Sequence, residues 1–247
     1  MGLLACYIKE AKHCVFITGA GISTNANIRD YRGPNGIWTE AAKQGKKEGD
    51  VVWDDAFYES IPSATPQLAH LGIRELVERG LCEHVISQNE DGLHLRSGLP
   101  RAVLSELHGN DFIEICKKCK CEVFRDFVTY YGDTYKKTNP LGAHVTGRRC
   151  PECDELNGEQ GGMDWLPDLQ SPHPSHSPGR GPWAQQLRLG PGPPAADWLL
   201  VAAVGLVDTC VDFGESPCGD PWGSNKVHNL TDALKVMATA DLVVAWG

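Results

Sequence analysis

Two Cys-x-x-Cys pairs, Cys116/Cys119 and Cys150/Cys153, stand thirty residues apart in this 247-residue chain. Four thiolates so arranged suit one tetrahedral zinc ion, and both pairs reach one ion only if the chain between them folds back on itself. The gap is longer than the usual ~15 to 20 residues, so the inserted hairpin must be larger. A closed shell of four thiolates leaves no position for water, and the zinc is therefore expected to be structural. Free core thiols or a redox pair fit poorly with two matched pairs. Cys121 falls one residue outside the pattern and reads as a spectator, while Cys6, Cys14 and Cys82 sit among apolar neighbours and read as core.

The chain is long enough to bury a full core as one large domain or two. A net charge of -9 argues against a broad nucleic-acid-binding face. The run Lys43, Lys46, Lys47 reads as a solvated loop. Met1 to Lys12 lacks the charged and apolar regions of a secretory signal, and the apolar run Trp198 to Val207 is too short to span a bilayer. Ten cysteines without such a signal favour a reducing compartment. Eight of the sixteen prolines fall between Pro167 and Pro194, so residues 155–206 read as a Pro/Gly-rich disordered insertion. His173 and His176 fall inside it.

An α/β organisation is expected. Residues 3–13 read as a short helix leading into a strand at 14–18, Cys14-Val-Phe-Ile-Thr18. Residues 32–63 read as a long loop. Thr65-Pro66 starts a helix that runs towards Gly80, followed by a strand at 84–87. Residues 112–154 read as a small β-rich zinc module. Thr231 caps a helix through Ala240, ahead of a strand at Leu242 to Trp246.

Three short segments carry polar chemistry at strand ends. Gly19 and Gly21, in Gly19-Ala20-Gly21-Ile22-Ser23, permit close approach of phosphate to free backbone N–H groups. Thr24 stands where a dinucleotide fingerprint has its third glycine, and no P-loop Lys follows, so a plain strand-to-helix turn remains the other reading. Gln88-Asn89-Glu90-Asp91 follows the second strand, where open α/β sheets bind ligands. Its amides and carboxylates suit ribose hydroxyls and a carboxamide, or simply a polar turn closed by Gly92. His108, between Leu107 and Gly109, suits general base work or a structural role.

Taken in order, Gly19 to Ser23, Asp30-Tyr-Arg-Gly-Pro-Asn-Gly-Ile-Trp38, Ser87 to His94, Leu107-His-Gly109, the Cys pairs and Phe213-Gly-Glu215 resemble the sirtuin catalytic core, most closely its class IV. The resemblance spans about residues 3–154 and 208–247. It implies a Rossmann-like parallel sheet (1–111 and 207–247) with an inserted four-cysteine zinc module (112–154), and NAD-dependent removal of acyl groups from protein lysines, histones among them. Gly19, Ala20, Gly21, Ile22 and Ser23 would then lie along the NAD phosphates, and Asp30, Tyr31 and Arg32 in the cofactor loop. Gln88, Asn89 and Asp91 would hold nicotinamide and its ribose. His108 would activate a ribose hydroxyl after the acyl oxygen displaces nicotinamide, yielding O-acetyl-ADP-ribose. Val211, Phe213, Gly214 and Glu215 would pair with the substrate peptide by strand addition. The resemblance also implies a nuclear or nucleolar, chromatin-associated protein that regulates transcription.

The chain departs from the family in four places. Glu90 stands where an apolar residue or Cys is usual beside nicotinamide. A buried carboxylate is costly there, so Glu90 is expected to point out or to weaken the pocket. Asp212 replaces a His. Residues 155–206 have no counterpart, and the family core continues beyond Gly247 with a ribose loop, a second peptide-pairing strand and the adenine region. A catalytically impaired zinc-containing binding or regulatory module is therefore the second reading. A zinc ribbon that binds nucleic acid is the third, and the acidic balance speaks against it.

Overall fold

The run Cys14–Thr18 is apolar and β-branched, flanked by His13 and Gly19, and it forms a central strand of a parallel sheet (β1). The computed structural model describes residues 2–47, 55–130, 145–156, 205–210 and 230–247. They fall into two units, Met1–Phe112 with Asp126–Val128 and Thr209–Gly247, and Ile113–Arg125 with Thr129–Asp208.

In the first unit β1 pairs in parallel with β2 (His84–Ser87) on one side and with β8 (Leu242–Trp246) on the other, and β2 pairs with β3 (Leu104–Glu106). The order is β3-β2-β1-β8. Every residue of β2 is buried, as expected of parallel strands covered on both faces. Side chains alternate across the sheet. Cys14, Phe16, Val85 and Leu104 join Ile8, Ile73 and Leu99 on one side. Val15 and Ile86 meet Ala233 of the helix Leu230–Thr239 on the other. Phe16 and Leu104 are at most 1 % exposed, and each such side chain contributes ~2 kcal/mol on burial. The strand β8 is half covered, with Val243 and Trp246 exposed.

The helices begin and end where local chemistry allows. Leu3–Glu10 ends before β1, and Leu68–Glu78 starts three residues after Thr65, where the Gln67 backbone N–H donates to His70 Nδ1 at 3.1 Å. The expected loop at 32–63 is in part helical, with helices Ile37–Lys43 and Asp55–Ser63. Each is too short, and too mixed in composition, to register as a periodic run.

The second unit is an antiparallel sheet of β4 (Ile113–Cys116), β5 (Glu122–Phe124), β6 (Val145–Arg149) and β7 (Gly205–Asp208), in the order β5-β4-β7-β6. Glu114 on β4 is fully buried and accepts from Arg125 Nε at 2.5 Å and Arg148 Nη1 at 2.7 Å. Two guanidinium groups on one carboxylate offset the heavy desolvation cost of the charge and tie three segments of the sheet together. No helix among the described residues is long and apolar enough to cross a membrane. Residues 157–204, with His173 and His176, lie outside the described residues.

Candidate functional site

The register of the parallel sheet sets Thr18 level with Ser87 and Trp246, and Ser87 level with Glu106. The segments after β1, β2 and β3 therefore leave the sheet side by side at its carboxyl edge. The strand order reverses between β1 and β8, the place where open α/β sheets bind ligands.

After β1, Gly19 donates its N–H to Trp246 O at 3.2 Å and leads into a 3₁₀ helix, Ala20–Ala26. A Cβ on Gly21 would fall 2.6 Å from the carbonyl carbon of Gly247, so close backbone approach requires glycine there. Ser23 is fully buried and donates to Asp91 Oδ2 at 2.6 Å. Asn89 Nδ2 donates to Gly19 O at 3.0 Å, and Asp91 Oδ1 accepts the Leu93 N–H at 2.9 Å. Two donors thus hold the buried Asp91 carboxylate in one orientation. The structure brings together Gly19, Ser23, Asn89 and Asp91, residues drawn from two segments about seventy positions apart.

Two histidines missed in the sequence reading support this network. His70 Nδ1 accepts from Gln67, so Nε2 carries the proton and faces Ser23 Oγ at 3.4 Å. His94 packs edge-on against His70, with ring centroids 5.2 Å apart, and its Nε2 meets Thr18 Oγ1 at 2.9 Å. His94 Nδ1 is buried without a hydrogen-bond partner, so a second proton on that ring would find no acceptor. Burial first, and the nearby His70 second, lower the His94 pKa to about 3. The pH dependence follows in sign. Below an unfolded value of ~6.5 the unfolded chain takes up a proton that the folded chain refuses, until the pH approaches 3. Stability is therefore lost on acidification through that window, by up to about 1.4 kcal/mol per pH unit, and is fully present above it. Urea unfolding at stepped pH will show a shallower acid slope in His94→Gln than in the natural chain; equal slopes would mean that His94 titrates normally in the fold.

After β3, His108 is exposed, and its Nδ1 lies 2.8 Å from Gln88 O. A carbonyl only accepts, so Nδ1 carries the proton and Nε2 is left as the basic nitrogen. Gly109 turns the chain immediately afterwards with φ +89°, and a Cβ there would lie 1.9 Å from Thr209 O. Glycine is needed at that position on both counts.

Between these segments lies a cleft lined by Ala20, Ser23, Ile28, Arg29, Tyr31, Ile37, Phe57, Ile61, Gln88, Asn89, Glu90, Asp91 and Asp111. Tyr31 packs on Trp38 with centroids 4.7 Å apart, Arg32 lies over the same indole at 4.2 Å, and Asp30 Oδ1 accepts the Gly33 N–H at 3.1 Å. This loop is thus ordered by its own side chains. Burial, and then the charge of Glu90, push the Tyr31 phenol up to about 12. Glu90 does not point away: it is half-buried and lines the cleft, and its backbone carbonyl accepts the Asp111 N–H at 2.8 Å. Asp111, two residues beyond Gly109, also lines the cleft and had no pattern to announce it.

In the second unit Cys116, Cys119, Cys150 and Cys153 place their sulfurs within 4.8 Å of one another. Cys116–Cys153 and Cys119–Cys150 are each 3.6 Å apart. A tetrahedron with zinc–sulfur bonds of ~2.3 Å has edges of about 3.8 Å, so the cluster fits zinc. The Lys118 and Cys119 N–H groups lean on Cys116 Sγ, and the Cys153 N–H on Cys150 Sγ, at 3.4 to 3.5 Å, contacts that orient thiolates. Cys121 stays outside the tetrad, as its spacing implies, but its sulfur lies 3.2 Å from Cys119 and 3.3 Å from Cys150, beside a left-handed turn at Lys120 with φ +63°.

The model of the Sir2 family matches residues 19–216. The chain belongs to the Sir2 family. It is similar to the NAD-dependent protein deacetylase sirtuin-7 of Mus musculus, 46% identical over 150 residues, 61% of this chain and 34% of the relative. It is also similar to the NAD-dependent protein deacetylase Sirt6 of Drosophila melanogaster, 50% identical over 126 residues, 51% of this chain and 36% of the relative. This sirtuin thus spans about a third of the length of the curated relatives it matches, and the class IV reading is consistent with them. In fold it is similar to a mutant Sir2 homologue solved as an ADP-ribose complex, with TM-score 0.54 and 19% identity, covering 99% of this chain and 74% of that one. The Rossmann-like parallel sheet with a four-cysteine module is the Sir2 fold. Val211, Phe213, Gly214 and Glu215 lie outside the described residues.

Proposed function

We propose that this sirtuin is an NAD-dependent protein-lysine deacetylase that releases nicotinamide and O-acetyl-ADP-ribose. The single observation that carries the reading is His108, whose Nδ1 lies 2.8 Å from Gln88 O, which leaves Nε2 as the nitrogen able to accept a proton. NAD, when bound, supplies a ribose C1′ that becomes electrophilic as nicotinamide leaves. This chain's residues do the rest. Gly19, Ala20, Gly21 and Ile22 give backbone to the phosphates, with Ser23 beneath them. Gln88, Asn89 and the fixed carboxylate of Asp91 orient nicotinamide and its ribose. Asp30, Tyr31 and Arg32 would lie against the cofactor and shield it from water, and His108 would take a proton from a ribose hydroxyl. Binding of this kind would spend its energy on orientation, since the reactive bond belongs to the cofactor.

In this reading the second unit is a zinc module, with a structural Zn2+ on Cys116, Cys119, Cys150 and Cys153. Substrate would be an acyl-lysine protein, histones first, laid beside Val211, Phe213, Gly214 and Glu215. A nuclear or nucleolar site of action, on chromatin and in transcription regulation, goes with that substrate. The test is mass spectrometry of an acetyl-lysine histone peptide incubated with the purified chain, with and without NAD. Loss of the acetyl group only with NAD is the expected result. No loss, with NAD bound measurably by calorimetry, would replace catalysis with the binding-module reading.

A further inference from the structure

The zinc module carries one sulfur more than zinc needs. Four thiolates fill a tetrahedral shell, yet Cys121 Sγ rests against the edge formed by Cys119 and Cys150, at 3.2 and 3.3 Å. Both distances are shorter than the 3.6 Å separations within the tetrad and longer than a disulfide bond. The five sulfurs are unequally accessible. Cys116, Cys150 and Cys153 are buried, Cys121 is half-buried, and Cys119 is exposed. The left-handed turn at Lys120 folds Cys119 and Cys121 towards each other across a single residue. An oxidant arriving from solvent therefore meets Cys119 first, and the nearest sulfur to it is one that holds no place in the shell.

We propose that Cys119 and Cys121 form a hydroperoxide-sensitive modification site, in which Cys119 is attacked and Cys121 resolves it. The Cys119 thiolate attacks one peroxide oxygen, the O–O bond breaks, and hydroxide leaves, giving a sulfenic acid on Cys119. Cys121 then attacks that sulfur. The S–S bond forms, the S–O bond breaks, and the hydroxyl departs as water with the Cys121 proton. Two thiols lose two electrons and the peroxide is reduced to two waters. The shell is left with Cys116, Cys150 and Cys153, and metal affinity falls with the lost ligand. A thiol reductant reverses the change. The proposal goes beyond deacetylation and needs no turnover to be read.

The full chain, treated with hydrogen peroxide and blocked with iodoacetamide, is digested with trypsin, which cuts after Lys118, Lys120 and Arg125. The expected product is the dipeptide Cys119-Lys120 disulfide-linked to the Cys121–Arg125 peptide, rising in step with zinc release and disappearing on reduction. Cys121→Ser, checked by circular dichroism and by retention of bound zinc, should lose that product and accumulate Cys119 sulfenic acid, trapped by a cyclic 1,3-diketone. Two results would overturn the proposal: Cys121 fully alkylated in the oxidised chain, or reversible zinc release in Cys121→Ser at the natural rate through a Cys119–Cys150 bond. A chain purified without zinc would defeat the zinc assignment, while the linked peptide would still decide the Cys119–Cys121 pair.

Discussion

With His108 as the proposed base, its replacement by Ala is expected to lower NAD-dependent deacetylation by a factor of about 10² to 10⁴, or ~3 to 5 kcal/mol of transition-state stabilisation. The size follows from its role. Its Nδ1 is occupied by Gln88 O, and the ring is exposed, so removing it leaves no cavity and breaks one hydrogen bond at the surface. Stability and zinc content should therefore hardly move while turnover collapses. Gln88 keeps its own backbone N–H bond to Thr18 O at 3.0 Å, so the cofactor segment stays in place and NAD affinity should change little. Mass spectrometry of peptide deacetylation, set beside calorimetric NAD titration, reads the two apart. Turnover within about threefold of the natural chain would remove His108 as the base, because proton transfer by a positioned side chain is worth at least about a hundredfold.

The parts of this molecule legible in sequence were those where composition dictates geometry. Cys14–Thr18 and His84–Ser87 are short apolar runs closed by turn residues, and both became buried strands. The strand at Leu242–Trp246 emerged the same way, while the helix Leu230–Thr239 begins a residue ahead of Thr231, which lies inside it and does not cap it. Ser23, Asn89 and Asp91 were readable as polar groups at strand ends, since a parallel sheet must present those ends together. What sequence could not show was contact across long separations. His70 sits forty-seven residues from Ser23 and reaches its hydroxyl only through helix packing. Glu90 was expected to turn from the cleft or to weaken it, because a buried carboxylate is costly; the fold leaves it half-buried at the cleft, where part of its hydration survives. Cys121 lay outside a spacing rule, and a single left-handed residue, Lys120, returned it to the cluster. The short helices at 37–43 and 55–63 failed to register because two turns of helix carry too few periods to stand out from loop composition.

With zinc held by the four cysteines as proposed, chelating it should unfold that unit outright. Its apolar core explains why. The buried cluster beside the metal site consists of Cys116, Cys150, Cys153 and Leu206, with Cys121 and Val123 at its edge. Most of what packs there is sulfur, so the atoms that would hold the unit together without metal are the ones that become mutually unpaired when it leaves. Structural zinc contributes about 10 to 16 kcal/mol in small zinc-binding peptides, which equals or exceeds the whole stability of an ordinary domain, ~5 to 15 kcal/mol. The Glu114 ion pairs with Arg125 and Arg148 do not substitute, because a buried pair roughly balances its own desolvation cost. Hydrogen exchange measured before and after a zinc chelator should show protection lost from Ile113–Cys116 and Val145–Arg149. Protection should persist in Cys14–Thr18 and His84–Ser87, whose core rests on Phe16, Ile73, Val85 and Leu104. Cys116→Ser should reproduce the loss, since its thiol is buried and a hydroxyl is a poor zinc ligand. Retained protection of β4 and β6 in the chelated chain would show instead that the sheet stands without metal, and the four thiolates would then need another reason to converge.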